Sequence, residues 1–287
     1  MPHASVNGIS LYYEESGQGD AIVFAHEFSD DYRSFAGQVA HFAPRYRCVV
    51  YNARGFAPSE APEALDAYSQ EHSVEDMAGL MRHLGIDRAH VVGISMGSMT
   101  TLHFGLRHPD MARSLVICGT GPGDTARAKA RFEAEIEDFI ADIETRGWPR
   151  VAEDYGLTDD RRRLRDKNPA AYAGFQKRLA KRDRNGPLQT LRRTVTGRPL
   201  LADLAGQLEA MEVPTLILTG DEDHVCIDTS LYLKRLLPAA GLSIVPGTGH
   251  AVNLEEPGLF NRTLDSFFDA VEAGRWSPTP DASRSAY

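Results

Sequence analysis

A serine between two glycines is the stretch of this sequence best suited to chemistry. Gly93, Ser95 and Gly97 form a G-x-S-x-G pattern, and the mostly apolar run 89–94 leads directly into it. In this pattern a strand turns abruptly into a helix and presents the serine hydroxyl above the sheet as a nucleophile. The flanking glycines leave room for the crossing, because a side chain there would collide with neighbouring backbone. The stretch therefore predicts a nucleophilic serine at a strand-to-helix turn.

A serine nucleophile needs a general base, and the sequence offers suitable residues later in the chain. A hydroxyl is a weak nucleophile at neutral pH unless a histidine, oriented by a carboxylate, accepts its proton. His250 follows Gly247 and Gly249, which let a loop bring the imidazole back over the sheet. The loop after the preceding strand supplies three carboxylates, those of Asp221, Glu222 and Asp223.

Alternating strands and helices must position these residues. Nearly uniform apolar strands are typical of a parallel sheet with helices on both faces. An Asn-Gly turn at residues 7 and 8 adds an antiparallel hairpin at the start, and Ser73 is the predicted N-cap of a helix ending near Leu84. Because the chemistry of such sheets gathers at the carboxyl ends of the strands, Ser95 and the later loops should meet there. The buried strands are predicted at 21–25, 47–51, 89–94, 114–118, 214–219 and 242–245.

A long basic segment separates two of these strands. About 95 residues lie between the strand ending at Cys118 and the one beginning near Pro214, which is too long for an ordinary crossover. We predict a helical cap inserted at 124–206 into a core formed by 1–123 and 207–273. The insertion carries 18 basic and 14 acidic residues, whereas the remainder carries 13 and 26. The Pro- and Ser-containing tail, 274–287, is predicted to be disordered.

Composition excludes several classes of protein. The net charge of -9 disfavours nucleic acid as a partner, since phosphate binding needs basic patches. No apolar run approaches the roughly 18 residues of a membrane span, and the first residues do not resemble a secretory signal, so we expect a cytoplasmic protein with no membrane partner. Three scattered cysteines, Cys48, Cys118 and Cys226, argue against a disulfide framework and against zinc. Assembly into a homo-oligomer is left open.

Taken together, the three motifs resemble the α/β-hydrolase fold family, from about Val6 to Val271. The resemblance implies an α/β fold: a mostly parallel central sheet, helices on both faces and an inserted helical cap. By resemblance Ser95 is the nucleophile, Asp223 the orienting acid and His250 the base. The runner-up acid is Asp124, because some family members place the acid after the strand that follows the nucleophile.

The resemblance also implies an oxyanion hole made of two backbone N–H groups. One belongs to Met96, directly after the nucleophile, and the other is assigned to Phe28 in the loop after the first buried strand. In that loop Glu27 stands where relatives usually have glycine. We expect Glu27 to be solvated or paired with Arg54; the alternative, that it modulates the base from within the pocket, stays open.

The remaining basic and imidazole groups have simpler expectations. His26 is expected to pack beneath the oxyanion loop in a structural role. The run from Arg161 to Arg165 is expected to be a solvated helix face or to pair with neighbouring acids, with attraction of an anionic substrate as the alternative.

The expected function is that of a serine hydrolase. It would cleave a carboxylic ester or lactone of a small, largely apolar molecule through an acyl-enzyme on Ser95, with no metal and no organic cofactor implied. Carbon–carbon bond hydrolases, thioesterases and perhydrolases use the same triad and are the alternatives. A slow-turnover, receptor-like protein is a further alternative, suggested by Glu27 beside the oxyanion hole.

Overall fold

An eight-stranded sheet runs through the computed structural model, which describes residues 2–183 and 185–278. The strands are β1 (His3–Val6), β2 (Ile9–Ser16), β3 (Ala21–Ala25), β4 (Arg47–Tyr51), β5 (Ala89–Ile94), β6 (Ala112–Cys118), β7 (Thr215–Gly220) and β8 (Ala240–Val245). Their order across the sheet is β1-β2-β4-β3-β5-β6-β7-β8. β1 and β2 are antiparallel to their neighbours, and β3 to β8 are parallel. The predicted mostly parallel sheet is confirmed.

The hairpin between β1 and β2 follows from two residues. Asn7 and Gly8 both have positive φ, 45° and 76°, which the right-handed strand twist favours in a two-residue turn. The strand that follows, β2, pairs with β4 and so joins the hairpin to the parallel part of the sheet.

Helices cover both faces of the sheet, because alternate strand residues point to opposite sides. On β3, Val23 belongs to the apolar cluster on one face of the sheet, whereas Phe24 belongs to the cluster on the other face. None of the helices in the described part of the chain is long and apolar enough to cross a membrane. The helices are α1 (Ala36–Phe42), α2 (Gln70–His83), α3 (Met96–Arg107), α4 (Ala126–Arg146), α5 (Trp148–Tyr155), α6 (Asp159–Lys167), α7 (Pro169–Ala180), α8 (Asn185–Gln189), α9 (Ala205–Glu209), α10 (Ile227–Leu236), α11 (Val252–Glu255) and α12 (Pro257–Glu272).

Helix α2 begins one turn earlier than predicted. Its N-cap is Ser69, whose hydroxyl accepts the N–H of His72 at 3.0 Å. Ser73, the predicted cap, lies inside the helix and donates its hydroxyl to the Ser69 carbonyl. Asp76, which would lie in the first turn of a helix beginning at Ser73, is buried inside the helix and paired with Arg54.

The long connection between β6 and β7 contains helices α4 to α8. Helices α4, α5, α7 and α8 pack around an apolar cluster of their own that includes Trp148, Phe175 and Leu179. Phe28, from the loop after β3, packs against this cluster and so connects it to the sheet edge. The chain has returned to the main core by Leu201, which is buried in the cluster under α2 and α3.

The predicted disordered tail is wrong in its first residues. Trp276 packs against Phe267, with ring centroids 4.6 Å apart, and its indole N–H donates to the Ala239 carbonyl at 2.8 Å. An apolar contact and a satisfied indole N–H give these residues a fixed place. The rest of the predicted tail, 279–287, lies outside the described residues.

Replacing Gly93 with alanine tests the crossing at the end of β5. A Cβ there would lie 2.1 Å from the Gly97 carbonyl oxygen, so the backbone of α3 must move. We expect Gly93→Ala to lower the free energy of unfolding by about 1–3 kcal/mol or more, measured by urea denaturation. The matched control is Gly37→Ala in α1, where a Cβ meets nothing within 4 Å and should be neutral or stabilising. Wild-type stability in Gly93→Ala would contradict the crossing.

Candidate active site

Ser95 occupies the turn between β5 and α3. Its backbone has φ 54° and ψ -112°, a region that costs a residue with a side chain about 1–3 kcal/mol. Two hydrogen bonds hold it there: the Ser95 N–H donates to the Cys118 carbonyl at 2.8 Å, and the Ser98 hydroxyl donates to the Ser95 carbonyl at 2.6 Å. Ser95 is partly exposed between buried neighbours. The strained turn thus presents the hydroxyl at the sheet edge.

Asp223 and His250 meet beside this turn. Asp223 follows β7, His250 follows β8, and the distance from His250 Nδ1 to Asp223 Oδ2 is 2.8 Å. Gly220 permits the approach of the two loops, because a Cβ on it would lie 2.1 Å from the Thr248 carbonyl oxygen. When His250 is neutral, its Nδ1–H donates to the carboxylate and Nε2 is left as an acceptor.

The two groups stabilise each other's charged forms. Burial alone would lower the pKa of His250, but the Asp223 carboxylate and its hydrogen bond raise it, to about 9. Burial would likewise raise the pKa of Asp223, yet the neighbouring imidazolium lowers it below its ordinary value. Asp223 is therefore ionised when His250 accepts a proton.

The other acids considered from the sequence lie elsewhere. Asp124 is half-buried, and its Oδ1 accepts a hydrogen bond from the Thr229 hydroxyl at 3.4 Å. Asp221 accepts the Thr248 N–H at 3.1 Å, and Glu222 pairs with Arg163. Only Asp223, among these four acids, is hydrogen-bonded to His250.

The loop after β3 lies over the same edge. His26 donates from Nδ1 to the Glu27 carbonyl at 2.7 Å and accepts the Ala53 N–H at Nε2, at 3.0 Å. Burial lowers the pKa of His26 to about 4, so the neutral ring that this pattern needs is present at neutral pH. Within the described chain neither the Phe28 N–H nor the Met96 N–H donates to a protein acceptor. Both remain available as donors.

Glu27 has a different partner from the one expected. Arg54 pairs with Asp76, at 2.7 and 2.9 Å. Glu27 is buried and receives a two-point contact from Arg161, with Nη1–Oε1 at 3.1 Å and Nη2–Oε2 at 2.5 Å. The Ser29 hydroxyl also donates to Glu27, at 2.9 Å.

The expectation that Arg161 lies on a solvated helix face is therefore wrong. Its side chain is fully buried between the rings of Tyr155 and Phe175, with the guanidinium carbon 5.3 and 5.0 Å from their centroids. Arg162 and Arg163, next along α6, are more exposed and reach Glu222. A run of arginines on a short helix faces all sides, so one of them necessarily points inward.

The Glu27–Arg161 pair lies beside His250. Glu27 Oε2 is 4.0 Å from His250 Nε2. Burial would raise the pKa of Glu27, but Arg161 lowers it to about 2, so the carboxylate is ionised. Glu27 raises and Arg161 lowers the pKa of His250, which places two opposed charges next to the imidazole.

Ser95, Asp223 and His250 open onto a cavity of about 380 Å³. Ser95, Met96 and His250 form its floor, and Phe28 lines the same space. The basic side chain of Arg198 also faces the cavity; nothing in its local sequence, between Gly197 and Pro199, indicated this. The apolar part of the lining comes largely from the segment between β6 and β7, namely Phe132, Ile136, Phe139, Leu191 and Val195.

Comparison with known proteins identifies the family. The family model of the alpha/beta hydrolase fold matches residues 20–257. The chain belongs to the α/β-hydrolase family. The predicted fold and the prediction of a hydrolase are thereby confirmed.

Three similar proteins illustrate the range of the family. The 3-oxoadipate enol-lactonase 1 of Acinetobacter baylyi is 26% identical, over 88% of this chain and 90% of its own. The 2-hydroxy-6-oxo-6-phenylhexa-2,4-dienoate hydrolase of Burkholderia cepacia is 27% identical, over 91% and 92%. The crystal structure of the enol-lactonase from Burkholderia xenovorans LB400 superposes with a TM-score of 0.81 and 24% identity, over 93% and 100%. The last likeness concerns the fold alone.

Three side chains of this α/β hydrolase could in principle ligate a metal. Atoms of Asp223, Cys226 and His250 lie within 4.8 Å of one another in the described part of the chain. His250 Nδ1 is 2.8 Å from Asp223 and 3.8 Å from Cys226 Sγ, so a metal would have to displace the proton that the histidine shares with the acid. The arrangement is better suited to orienting an imidazole.

Asparagine substitutions test whether Asp223 or the runner-up, Asp124, is the acid that orients His250. We expect Asp223→Asn to slow the labelling of the chain by a fluorophosphonate probe about a thousandfold or more, because the imidazole loses its orienting carboxylate. Labelling is measured by mass spectrometry against time. Asp124→Asn is the matched control and should label at the wild-type rate. A slow Asp124→Asn beside a fast Asp223→Asn would reverse the assignment.

Replacing Glu27 with glutamine tests the ion pair. Glu27→Gln leaves the Arg161 charge buried without its carboxylate, which costs about 3–5 kcal/mol in comparable pairs. We expect this loss in the free energy of unfolding at pH 7. The pKa of Glu27 is lowered to about 2, so its stabilisation is present above its ordinary value of 4.5 and is lost as the pH falls toward 2. The free energies of unfolding of the wild type and the variant should therefore become equal at acidic pH, which urea denaturation at several pH values measures.

The same variant reports on the base. Without the Glu27 charge the pKa of His250 falls, so the acidic limb of the labelling rate should move to lower pH. Glu222→Gln, which breaks the more exposed pair with Arg163, is the control and should change neither stability nor the pH profile. An acidic limb that stays in place would show that Glu27 does not act on His250.

Proposed function

We propose that this α/β hydrolase cleaves a carboxylic ester or lactone of a small molecule through an acyl-enzyme on Ser95. The observation that carries the proposal is the 2.8 Å contact between His250 and Asp223, on a cavity whose floor also includes Ser95. A nucleophile, a base and an orienting acid are the parts that acyl transfer to serine requires.

In the first half of the reaction Ser95 is acylated. His250 Nε2 accepts the Ser95 proton as Oγ bonds to the carbonyl carbon of the substrate. The carbonyl oxygen becomes an oxyanion, stabilised by the N–H groups of Met96 and Phe28. When the tetrahedral intermediate collapses, the carbon–oxygen bond to the leaving group breaks, and His250 returns the proton to the departing alcohol.

In the second half water takes the place of the alcohol. His250 accepts a proton from water as its oxygen bonds to the acyl carbon, and a second oxyanion forms between the same two N–H groups. Collapse breaks the bond to Ser95 Oγ, which regains the proton. The carboxylic acid leaves and the site is regenerated.

Glu27 acts as a modulator in this scheme. Its carboxylate lies 4.0 Å from His250 Nε2 and favours the imidazolium that forms in both steps. Arg161 opposes this effect and limits it. The pair adjusts the basicity of His250 without touching the reacting bonds.

We propose that the helices α4 to α8 act as a cap over the site. Their apolar side chains supply most of the cavity wall, which suits a substrate with an apolar portion. A cavity of about 380 Å³ limits that substrate to a small molecule. The enol-lactonase among the relatives supports an ester or lactone as the bond that is cleaved.

Carbon–carbon bond hydrolysis is the second candidate. It is favoured by the Burkholderia cepacia relative, which is 27% identical and whose named substrate contains no ester. The same base and oxyanion donors would act on a ketone carbonyl. Turnover of such a ketone with no turnover of esters would favour this candidate.

Alanine at position 95 tests the proposed nucleophile. We expect wild-type protein to hydrolyse short 4-nitrophenyl esters and Ser95→Ala to lose at least a thousandfold of kcat, because no acyl-enzyme can form. Release of nitrophenol is measured by absorbance. Ser266→Ala on the exposed side of α12 is the control and should retain wild-type activity. Hydrolysis at the wild-type rate by Ser95→Ala would refute the mechanism.

A further inference from the structure

Arg198 is a buried cation that faces the cavity. It follows a π-helical turn, Thr190–Val195, and its side chain lines the same space as Ser95 and His250. Only 8% of the residue is exposed. Within the described chain it has no hydrogen bond and no ion pair, and its buried Nε has no acceptor.

Other buried or half-buried arginines in the described part of the chain have acceptors: Arg182 donates to the Phe28 and Asp30 carbonyls, and several others pair with carboxylates. Arg54 pairs with Asp76, Arg161 with Glu27, and Arg178 with Asp30. Taking a guanidinium out of water without an anion costs several kcal/mol. A buried arginine with no counter-ion in the protein therefore indicates an anionic ligand.

Burial lowers the pKa of Arg198 to about 10, which still leaves it charged at neutral pH. Arg198 therefore carries a positive charge at neutral pH in a cavity wall that is otherwise mostly apolar.

The carboxylates around the cavity are already engaged. Asp223 is bonded to His250. Glu135, at the rim, is exposed and bonded to Arg131 at 2.9 Å. The nearby His103 is neutral, because burial and then Arg198 lower its pKa to about 4, and a neutral imidazole supplies no counter-charge. The anion must come from outside the described chain.

Arg198 is close in space to the proposed catalytic groups. A Cβ on Gly121 would be 3.9 Å from Arg198 Nη1, and a Cβ on Gly119 would be 3.2 Å from His250 Cε1. The two groups therefore flank one short loop after β6. A molecule in the cavity can contact Arg198 at one end and Ser95 at the other.

We propose that Arg198 binds a free carboxylate of the substrate. The substrate class is then an ester or lactone that carries a second, ionised carboxyl group: a half-ester of a dicarboxylic acid, or a carboxylated lactone. A guanidinium suits this ligand because its N–H groups match a carboxylate at two points. The inference rests on the proposed ester hydrolysis and sharpens it: the middle of the substrate is apolar, and one end is an anion.

A chain-length series of paired esters tests this assignment. The half-esters are the monoethyl esters of succinic, glutaric, adipic and pimelic acids, each compared with the ethyl ester in which a methyl group replaces the carboxylate. We expect kcat/KM of the wild type to favour the half-ester about 10- to 100-fold at the best length, as a charged hydrogen bond allows.

Two variants locate the source of that preference. Arg198→Met should abolish it by slowing the half-ester far more than the neutral ester. Arg193→Met removes an exposed arginine of the neighbouring turn and should preserve the preference. Equal rates for both ester types at every length in the wild type, or an equal loss of both in Arg198→Met, would overturn the inference and leave ester hydrolysis standing.

A binding measurement needs no turnover. In Ser95→Ala, monoethyl adipate and adipate should raise the melting temperature, and the added change Arg198→Met should remove the shift. Arg198→Met alone should melt no lower than wild type, because it removes an unpaired buried charge. If no ester is hydrolysed, the proposed function fails and this measurement decides the inference: no shift with any of the dicarboxylates or half-esters refutes it.

Discussion

The close crossing of β5, β3 and α3 is the constraint on which the rest of the site depends. Gly93 and Gly97 bring backbone within 2.1 Å of where their Cβ atoms would be. That crossing forces positive φ on Ser95, and the sheet fixes the neighbouring loops relative to it. Because β7 and β8 run parallel to β5, the loops that carry Asp223 and His250 end at the same edge. The sheet thus fixes the relative positions of site residues that lie directly after its strands.

A second layer of the site depends on charge. The carboxylate of Glu27 and the guanidinium of Arg161 come from residues 134 positions apart, one on the core loop and one on α6. Their contact is dry, since both side chains are buried, and it lies next to His250. The helices between β6 and β7 therefore supply both the apolar wall of the cavity and part of the electrostatic environment of His250.

Local patterns predicted the strands and the position of the serine, because apolar runs and flanking glycines act over a few residues. The orientations of Arg161 and Arg198 could not be predicted, since packing between distant helices decides which face of a segment is buried. The helix start at Ser69 was missed because Ser69 and Ser73 are both good caps, and the burial of Asp76 against Arg54 chose between them. The packing of Trp276 was missed because the composition of residues 274–287 suggested a disordered tail. In the structure Trp276 packs against Phe267, which belongs to an apolar surface elsewhere in the fold.

The Glu27–Arg161 pair also restricts how this chain can vary. Placing glycine at position 27 would leave a guanidinium buried between two aromatic rings with its main counter-charge gone. Replacing Arg161 first would leave a buried carboxylate beside the base. Either substitution alone gives a destabilised protein, so we expect the residues at the two positions to change together. An oxyanion loop of the common glycine type lies two substitutions away, and neither substitution is neutral when made alone.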